Sequence, residues 1–141
     1  KVADFGLARA LNDPENPAAT TTEPSADWRH IKRSLVGSPM FIAPELLSLL
    51  NYGPPVDCWA TGVLLWFLLT GIYPFQGTVK EILKQVKTGA VNMTGPEWEP
   101  ISENARDLIS KLLNPDPRKR IDSRSALRHP LFKNIHTPVL P

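Results

Sequence analysis

The stretch Gly37-Ser38-Pro39-Met40-Phe41-Ile42-Ala43-Pro44-Glu45 carries the reading of this chain. Pro44 suits the first turn of a helix, where its fixed φ is pre-organised and its missing N–H is not needed, so residues 44–50 (PELLSLL) read as a short helix. Asn51 and the turn Gly53-Pro54-Pro55 close it. Residues 56–70 come next and are apolar on nearly every face, which places a helix at the centre of a domain. Gly71 ends that helix. Thr78 followed by Glu81 is a capping-box pair, which predicts a helix from there to about Thr88, before Gly89. Ser102 caps a further helix through Leu113, with Ala105, Leu108, Ile109, Leu112 and Leu113 at helical spacing, stopped by Asn114-Pro115-Asp116-Pro117. Ser123 opens a last short helix that Pro130 ends.

Composition sets limits on this plan. The chain has 141 residues, 42% hydrophobic and 21% charged, which is enough for one domain and excludes a coiled coil, a collagen or a wholly disordered tail. Its 15 prolines keep the helices short. The longest apolar run, residues 62–69 (GVLLWFLL), falls far below the roughly 18 residues of a membrane span, and no basic-then-apolar leader opens the chain. Cys58 is the single cysteine, which excludes an internal disulfide and favours a reducing compartment. The expected location is therefore the cytoplasm, with the nucleus also open.

Upstream of the opening stretch, residues 1–3 read as the end of a strand entered partway along, and Asp4-Phe5-Gly6 as a sharp turn. A carboxylate at a strand end beside such a turn suits a hard cation against phosphate oxygens, although an ordinary turn has the same three residues. Residues 12–27 carry Pro14, Pro17, Pro24 and a threonine run with almost no large apolar side chain, so the sequence predicts a mobile loop.

Read in order, five motifs share one source. Asp4-Phe5-Gly6 is followed by G-S-P-M-F-I-A-P-E at 37–45, by Asp57-Cys58-Trp59-Ala60-Thr61-Gly62, by Asp116-Pro117-Arg118-Lys119-Arg120 and by His129-Pro130-Leu131-Phe132. The chain resembles a eukaryotic-type protein kinase from the D-F-G triplet onward. The fold this implies is mainly α, the C-terminal helical lobe of a parent domain that is α+β and two-lobed. Residues 1–133 are then a partial kinase domain, with an activation segment over 4–45 and a helical core over 46–133, and residues 134–141 a C-terminal tail.

The resemblance assigns roles. Asp4 coordinates Mg2+ bridging the phosphates of ATP, Phe5 packs differently in active and inactive states, and Gly6 lets the segment turn. Ser38 sits beside the catalytic aspartate, and Gly37, Ser38, Pro39, Met40 and Phe41 form the wall that receives the substrate residue following the phosphorylated one. G-S-P at 37–39, without a tyrosine-kinase pattern, points to a protein substrate phosphorylated on serine or threonine. Glu45 and Arg120 form a buried ion pair. Asp57 accepts backbone hydrogen bonds from the catalytic loop; on residue type alone it reads as an ordinary helix-end carboxylate. Trp59 and Trp66 are expected in the core.

The glycine-rich loop, the strand lysine and the H-R-D catalytic loop belong before D-F-G, so these residues by themselves are expected to be inactive, with activity assigned to the parent protein. Ser34, three residues before Gly37 and just after Lys32 and Arg33, is the expected activating phosphorylation site for an upstream kinase. Glu97-Trp98-Glu99-Pro100-Ile101-Ser102 followed by Ala105-Arg106-Asp107-Leu108-Ile109 resembles the calcium/calmodulin-dependent and calcium-dependent kinase group. No calcium-binding loop or calmodulin helix is legible from there to Pro141. A pseudokinase or scaffold lobe is the alternative, against which the intact Asp4, Glu45, Asp57 and Arg120 argue. Nucleic acid is not an expected partner: residues 101–141 hold 8 Lys/Arg against 4 Asp/Glu, but no stacking aromatics alternate with them.

Overall fold

The computed structural model describes residues 39–47 and 53–133. The expected strand end at 1–3, Asp4, Phe5, Gly6, the loop at 12–27, Ser34, Gly37, Ser38, the second half of the helix at 44–50 and the tail from 134 lie outside these residues. In chain order the described part runs through a 3-10 turn (Pro39–Phe41), α1 (Pro44–Leu47), α2 (Pro55–Thr70), α3 (Val79–Thr88), a 3-10 turn (Pro96–Trp98), α4 (Glu103–Leu112), α5 (Ser123–Leu127) and a 3-10 turn (Pro130–Phe132). It contains helices and no strand, as the motif order implies.

Local chemistry explains the boundaries. Pro55 opens α2, and Gly71 ends it at φ 74°, donating its N–H to the Phe67 carbonyl. Thr78 and Glu81 form the full capping box of α3, and Gly89 closes it at φ 63°. The Ser102 hydroxyl accepts the Ala105 N–H at the start of α4. The cap of α5 is Asp122, whose carboxylate accepts the Ser125 N–H at 2.8 Å. The helix stops at Leu127, and Pro130 then starts a 3-10 turn of its own instead of ending the helix.

The core forms where α2 crosses α4. Trp59, Gly62, Val63 and Trp66 on α2 are buried, and Ala105, Leu108, Ile109 and Leu112 answer them from α4. Rings extend this contact outward: Trp59 stacks on Phe75 at 5.7 Å, and Trp66 meets Trp98 edge-on at 4.5 Å. The opposite face of α2 has another character. Asp57, Thr61, Leu64 and Leu68 recur at helical spacing there and are exposed, Leu64 by 47% and Leu68 by 68%.

One hydrogen-bonded chain ties α4 to the last turn. His129 is buried; its Nδ1 accepts the Leu131 N–H, so Nε2 carries the proton and donates to Asp107 Oδ2 at 2.8 Å. Asp107 also accepts from Lys111 Nζ at 2.6 Å. The hydrogen bond from Lys111, then the one from His129, holds the Asp107 carboxyl below its ordinary value of 3.8.

A Cβ at Gly62 would stand 2.8 Å from Leu112 Cβ and 2.9 Å from Leu113 Cδ2, so Gly62→Ala forces α2 and α4 apart. Urea unfolding should show a loss of about 1–3 kcal/mol. Asp107 has a depressed folded pKa, so its stabilisation is present above the unfolded value and is lost as pH falls through the folded one. Between neutral pH and pH about 3, the unfolding midpoint should therefore fall more steeply for the natural chain than for Asp107→Asn.

Candidate functional site

Residues 39–47 hold no helix longer than a single turn, so their position depends on what they touch. The Ile42 N–H closes the first turn on the Pro39 carbonyl at 3.2 Å, and the Leu46 N–H bonds the Ala43 carbonyl at 3.0 Å. Ala43, Pro44 and Glu45 are buried, while Pro39, Met40 and Phe41 are half-buried. Phe41 meets Tyr73 edge-on at 6.0 Å, and Tyr73 in turn stacks on Phe67 of α2 at 4.5 Å. The wall expected from the sequence thus lies, for its three described members, in one turn packed against α2 and α3.

What fixes this segment is a two-point ion pair. Arg120 Nη1 lies 2.7 Å from Glu45 Oε1, and Nη2 lies 2.9 Å from Glu45 Oε2. The side chains are 0% and 3% exposed, so neither charge is solvated by water. The planar guanidinium matches the carboxylate fork and still has donors left. Nη1 also donates to the Pro55 carbonyl at 2.7 Å, Nε donates to the Asn114 carbonyl at 2.9 Å, and the guanidinium carbon sits 5.1 Å over the Trp59 ring. One side chain therefore gathers α1, the start of α2, the end of α4 and a core indole.

The loop around Arg120 is itself braced. Asn114 Oδ1 accepts the Asp116 N–H at 3.0 Å, and Asp116 Oδ1 accepts the Arg118 N–H at 3.0 Å. The second of these bonds holds the Asp116 carboxyl below its ordinary range. The Arg120 N–H bonds the Asp116 carbonyl, and the Ile121 N–H bonds the Lys111 carbonyl, which locks the loop to α4.

Asp57 stands apart from this cluster. Its carboxylate is exposed in the first turn of α2 and meets no partner among the described residues. Its neighbour Cys58 is half-buried, and burial pushes the thiol up, so it is no activated nucleophile. Trp59 and Trp66 are core residues, as expected. Sequence reasoning missed the Pro55 and Asn114 carbonyls as acceptors for Arg120, because a backbone carbonyl leaves no mark in residue type. Among the described residues no group of three or more His, Cys, Asp or Glu is placed to hold a metal.

Breaking one side of the pair strands the other charge. Arg120→Met should lower the unfolding free energy by about 3–5 kcal/mol in urea titrations. Glu45→Gln keeps the shape and one acceptor, and should cost less.

Comparison with known proteins agrees with this geometry. A family model described as the protein kinase domain matches residues 1–132. Calcium-dependent protein kinase 20 of Oryza sativa subsp. japonica is 42% identical over 140 residues, spanning 96% of this chain and 22% of the relative. The delta subunit of calcium/calmodulin-dependent protein kinase type II of Oryctolagus cuniculus is 38% identical over 138 residues, spanning 97% of this chain and 23% of the relative. Among solved structures, the twitchin kinase region from C. elegans superposes with a TM-score of 0.68 at 37% identity, over 74% of this chain and 19% of that one. The chain thus spans less than a quarter of these relatives. With its motifs in order and its described residues folded as helices around a buried Glu45–Arg120 pair, the chain belongs to the protein kinase domain family and supplies the helical C-terminal lobe of that fold.

Proposed function

We propose that this chain is part of a serine/threonine protein kinase that transfers the γ-phosphate of ATP to a protein serine or threonine, and that its 141 residues alone transfer none. The observation that carries the reading is the anchored turn at 39–41. Directly after Gly37-Ser38, a segment whose helices are single turns is fixed to the helical core by a buried two-point ion pair. Rigid positioning of a substrate strand needs such an anchor, because catalysis by phosphoryl transfer is mostly positioning and charge stabilisation.

In this reading Gly37, Ser38, Pro39, Met40 and Phe41 receive the substrate residue after the acceptor, and Ser38 stands beside the catalytic aspartate of the complete domain. The described residues offer no donor set for Mg2+. Asp4 is the residue assigned to the metal, with Phe5 and Gly6 shaping the turn around it, and bound Mg2+–ATP supplies the phosphoryl group and neutralises its charge. Ser34 takes a regulatory phosphate from an upstream kinase, whose two negative charges draw the segment onto arginines. The intracellular setting, cytoplasm and nucleus, belongs to the same proposal.

The face of α2 opposite the core supports the partial-domain reading. A helix with Leu64 and Leu68 in water beside an unpartnered Asp57 carboxylate suits a surface completed by the catalytic loop and its supporting helices. Asp57 is proposed to accept backbone N–H groups there.

With the glycine-rich loop, strand lysine and catalytic loop of the complete domain in place, Mg2+-ATP-dependent phosphate transfer to serine or threonine should appear, and Asp4→Asn should abolish it. A radiolabelled phosphate assay with phosphoamino-acid analysis checks both. Undiminished transfer by Asp4→Asn would overturn the role of Asp4, and no transfer by the complete domain would favour a scaffold lobe.

A further inference from the structure

The loop between α2 and α3, residues 71–77, has no helix or strand of its own, yet it supplies Tyr73, Phe75 and Gln76 to an apolar groove of about 420 Å³ that Met40, Phe67 and Ile82 complete. Through Met40 the groove joins the turn at 39–41, so it belongs to the surface assigned to the peptide substrate. Glycines bracket the loop: Gly71 stands at φ 74° and Gly77 at φ 115°, values that only glycine takes freely. Phe75 anchors the middle, buried and stacked on Trp59, but one buried ring leaves the backbone beyond it to be held by other means.

Gln85 of α3 supplies that hold. Its Oε1 accepts the Gln76 N–H at 3.3 Å, and its Nε2 donates to the Gln76 carbonyl at 2.7 Å. The two bonds run in opposite directions, so only one orientation of the amide satisfies both, and Gln85 grips Gln76 as a residue of a neighbouring strand would. Among the described residues these are the hydrogen bonds that join residues 71–77 to α3. Gln76 passes the restraint on. Its own Nε2 donates to the Tyr73 carbonyl at 3.0 Å, Tyr73 stacks on Phe67, and Phe41 of the substrate turn rests edge-on against Tyr73. Ile82, buried one turn before Gln85, lines the same groove, whereas Gln85 does not.

We propose that Gln85 is a positioning residue for the peptide substrate: its clasp on Gln76 sets the width of the groove, and so decides how strongly the domain discriminates between substrates by the bulk of the side chain that enters it. The inference rests on the kinase reading and assigns Gln85 no contact with substrate. A wall held from behind keeps its contacts, and a wall free to shift loses them.

The test compares the complete kinase domain with its Gln85→Met variant, which keeps the length of the side chain and loses both its donor and its acceptor. The substrates are peptides identical except at the residue after the acceptor serine, which is Phe, Leu, Ala or Gly. Steady-state kinetics should give the natural domain a lower KM for the Phe and Leu peptides than for the Gly peptide. In Gln85→Met that preference should shrink at least about fivefold through KM, with kcat within about twofold for every peptide. Gln85→Glu keeps an acceptor for the Gln76 N–H but sets a carboxylate against the Gln76 carbonyl, and it should not restore the preference. Lys111→Met removes an exposed ion pair on α4 and should leave the preference intact, which separates the clasp from a general loss of stability. No preference in the natural domain, the same preference in Gln85→Met, or a KM rise of equal size for the Gly peptide would overturn the proposal while phosphate transfer, and with it the kinase reading, stands. A natural domain that transfers no phosphate would overturn the kinase reading and the proposal with it.

Discussion

The buried pair between Glu45 and Arg120 is the constraint on which the rest depends. The two residues are 75 positions apart in sequence, and both are sealed from water. Desolvating two charges is costly, and the attraction between them offsets that cost only with good geometry and further hydrogen bonds. Arg120 meets both conditions through its fork contact with Glu45 and its bonds to the Pro55 and Asn114 carbonyls. A hydrophobic pair could fill the same volume at similar stability. It could not fix direction in the same way, since only the fork sets the rotation of residues 39–47 about the core.

That rotation connects fold to function. Phe41 rests on Tyr73, Tyr73 on Phe67, and Phe67 lies on α2, whose far side is locked to α4 through Gly62. The turn at 39–41 is thereby referenced to the buried contact between α2 and α4. α2 itself is two-sided. Its tryptophans and Gly62 face a finished core, while Leu64, Leu68 and Asp57 face outward. Small helical units rarely leave such a stripe in water unless another surface belongs on it.

Much of the local structure was legible in particular residues. Thr78 and Glu81 announce their helix because a capping box is a side-chain pattern, and Gly71 and Gly89 announce helix ends because only glycine takes a positive φ freely. The face of α2 was not legible. With apolar residues all round, its sequence carries no periodic signal, so nothing separated Val63, buried, from Leu64, exposed. The proline-led 3-10 turns at 96–98 and 130–132 were also missed, since three residues are too few for any period to show. The ion pair was legible only through family resemblance: separation in sequence hides a contact that no local rule predicts. The junction of His129 with Asp107 was hidden for the same reason.

Native-state amide exchange on E45Q/R120M tests the central claim most directly. Removing both charges strands neither, so E45Q/R120M should lose less global stability than Arg120→Met alone, although the Pro55 and Asn114 carbonyls lose their donor, while the tether of residues 39–47 is lost. The Ile42 and Leu46 amides, bonded within the 39–47 segment, should then exchange at least about tenfold faster, and those of Ile109 and Leu112 in α4 should be nearly unchanged. Equal protection of Ile42 and Leu46 in both proteins, or a parallel loss at all four amides, would contradict the account of Glu45 and Arg120 as the anchor of this segment.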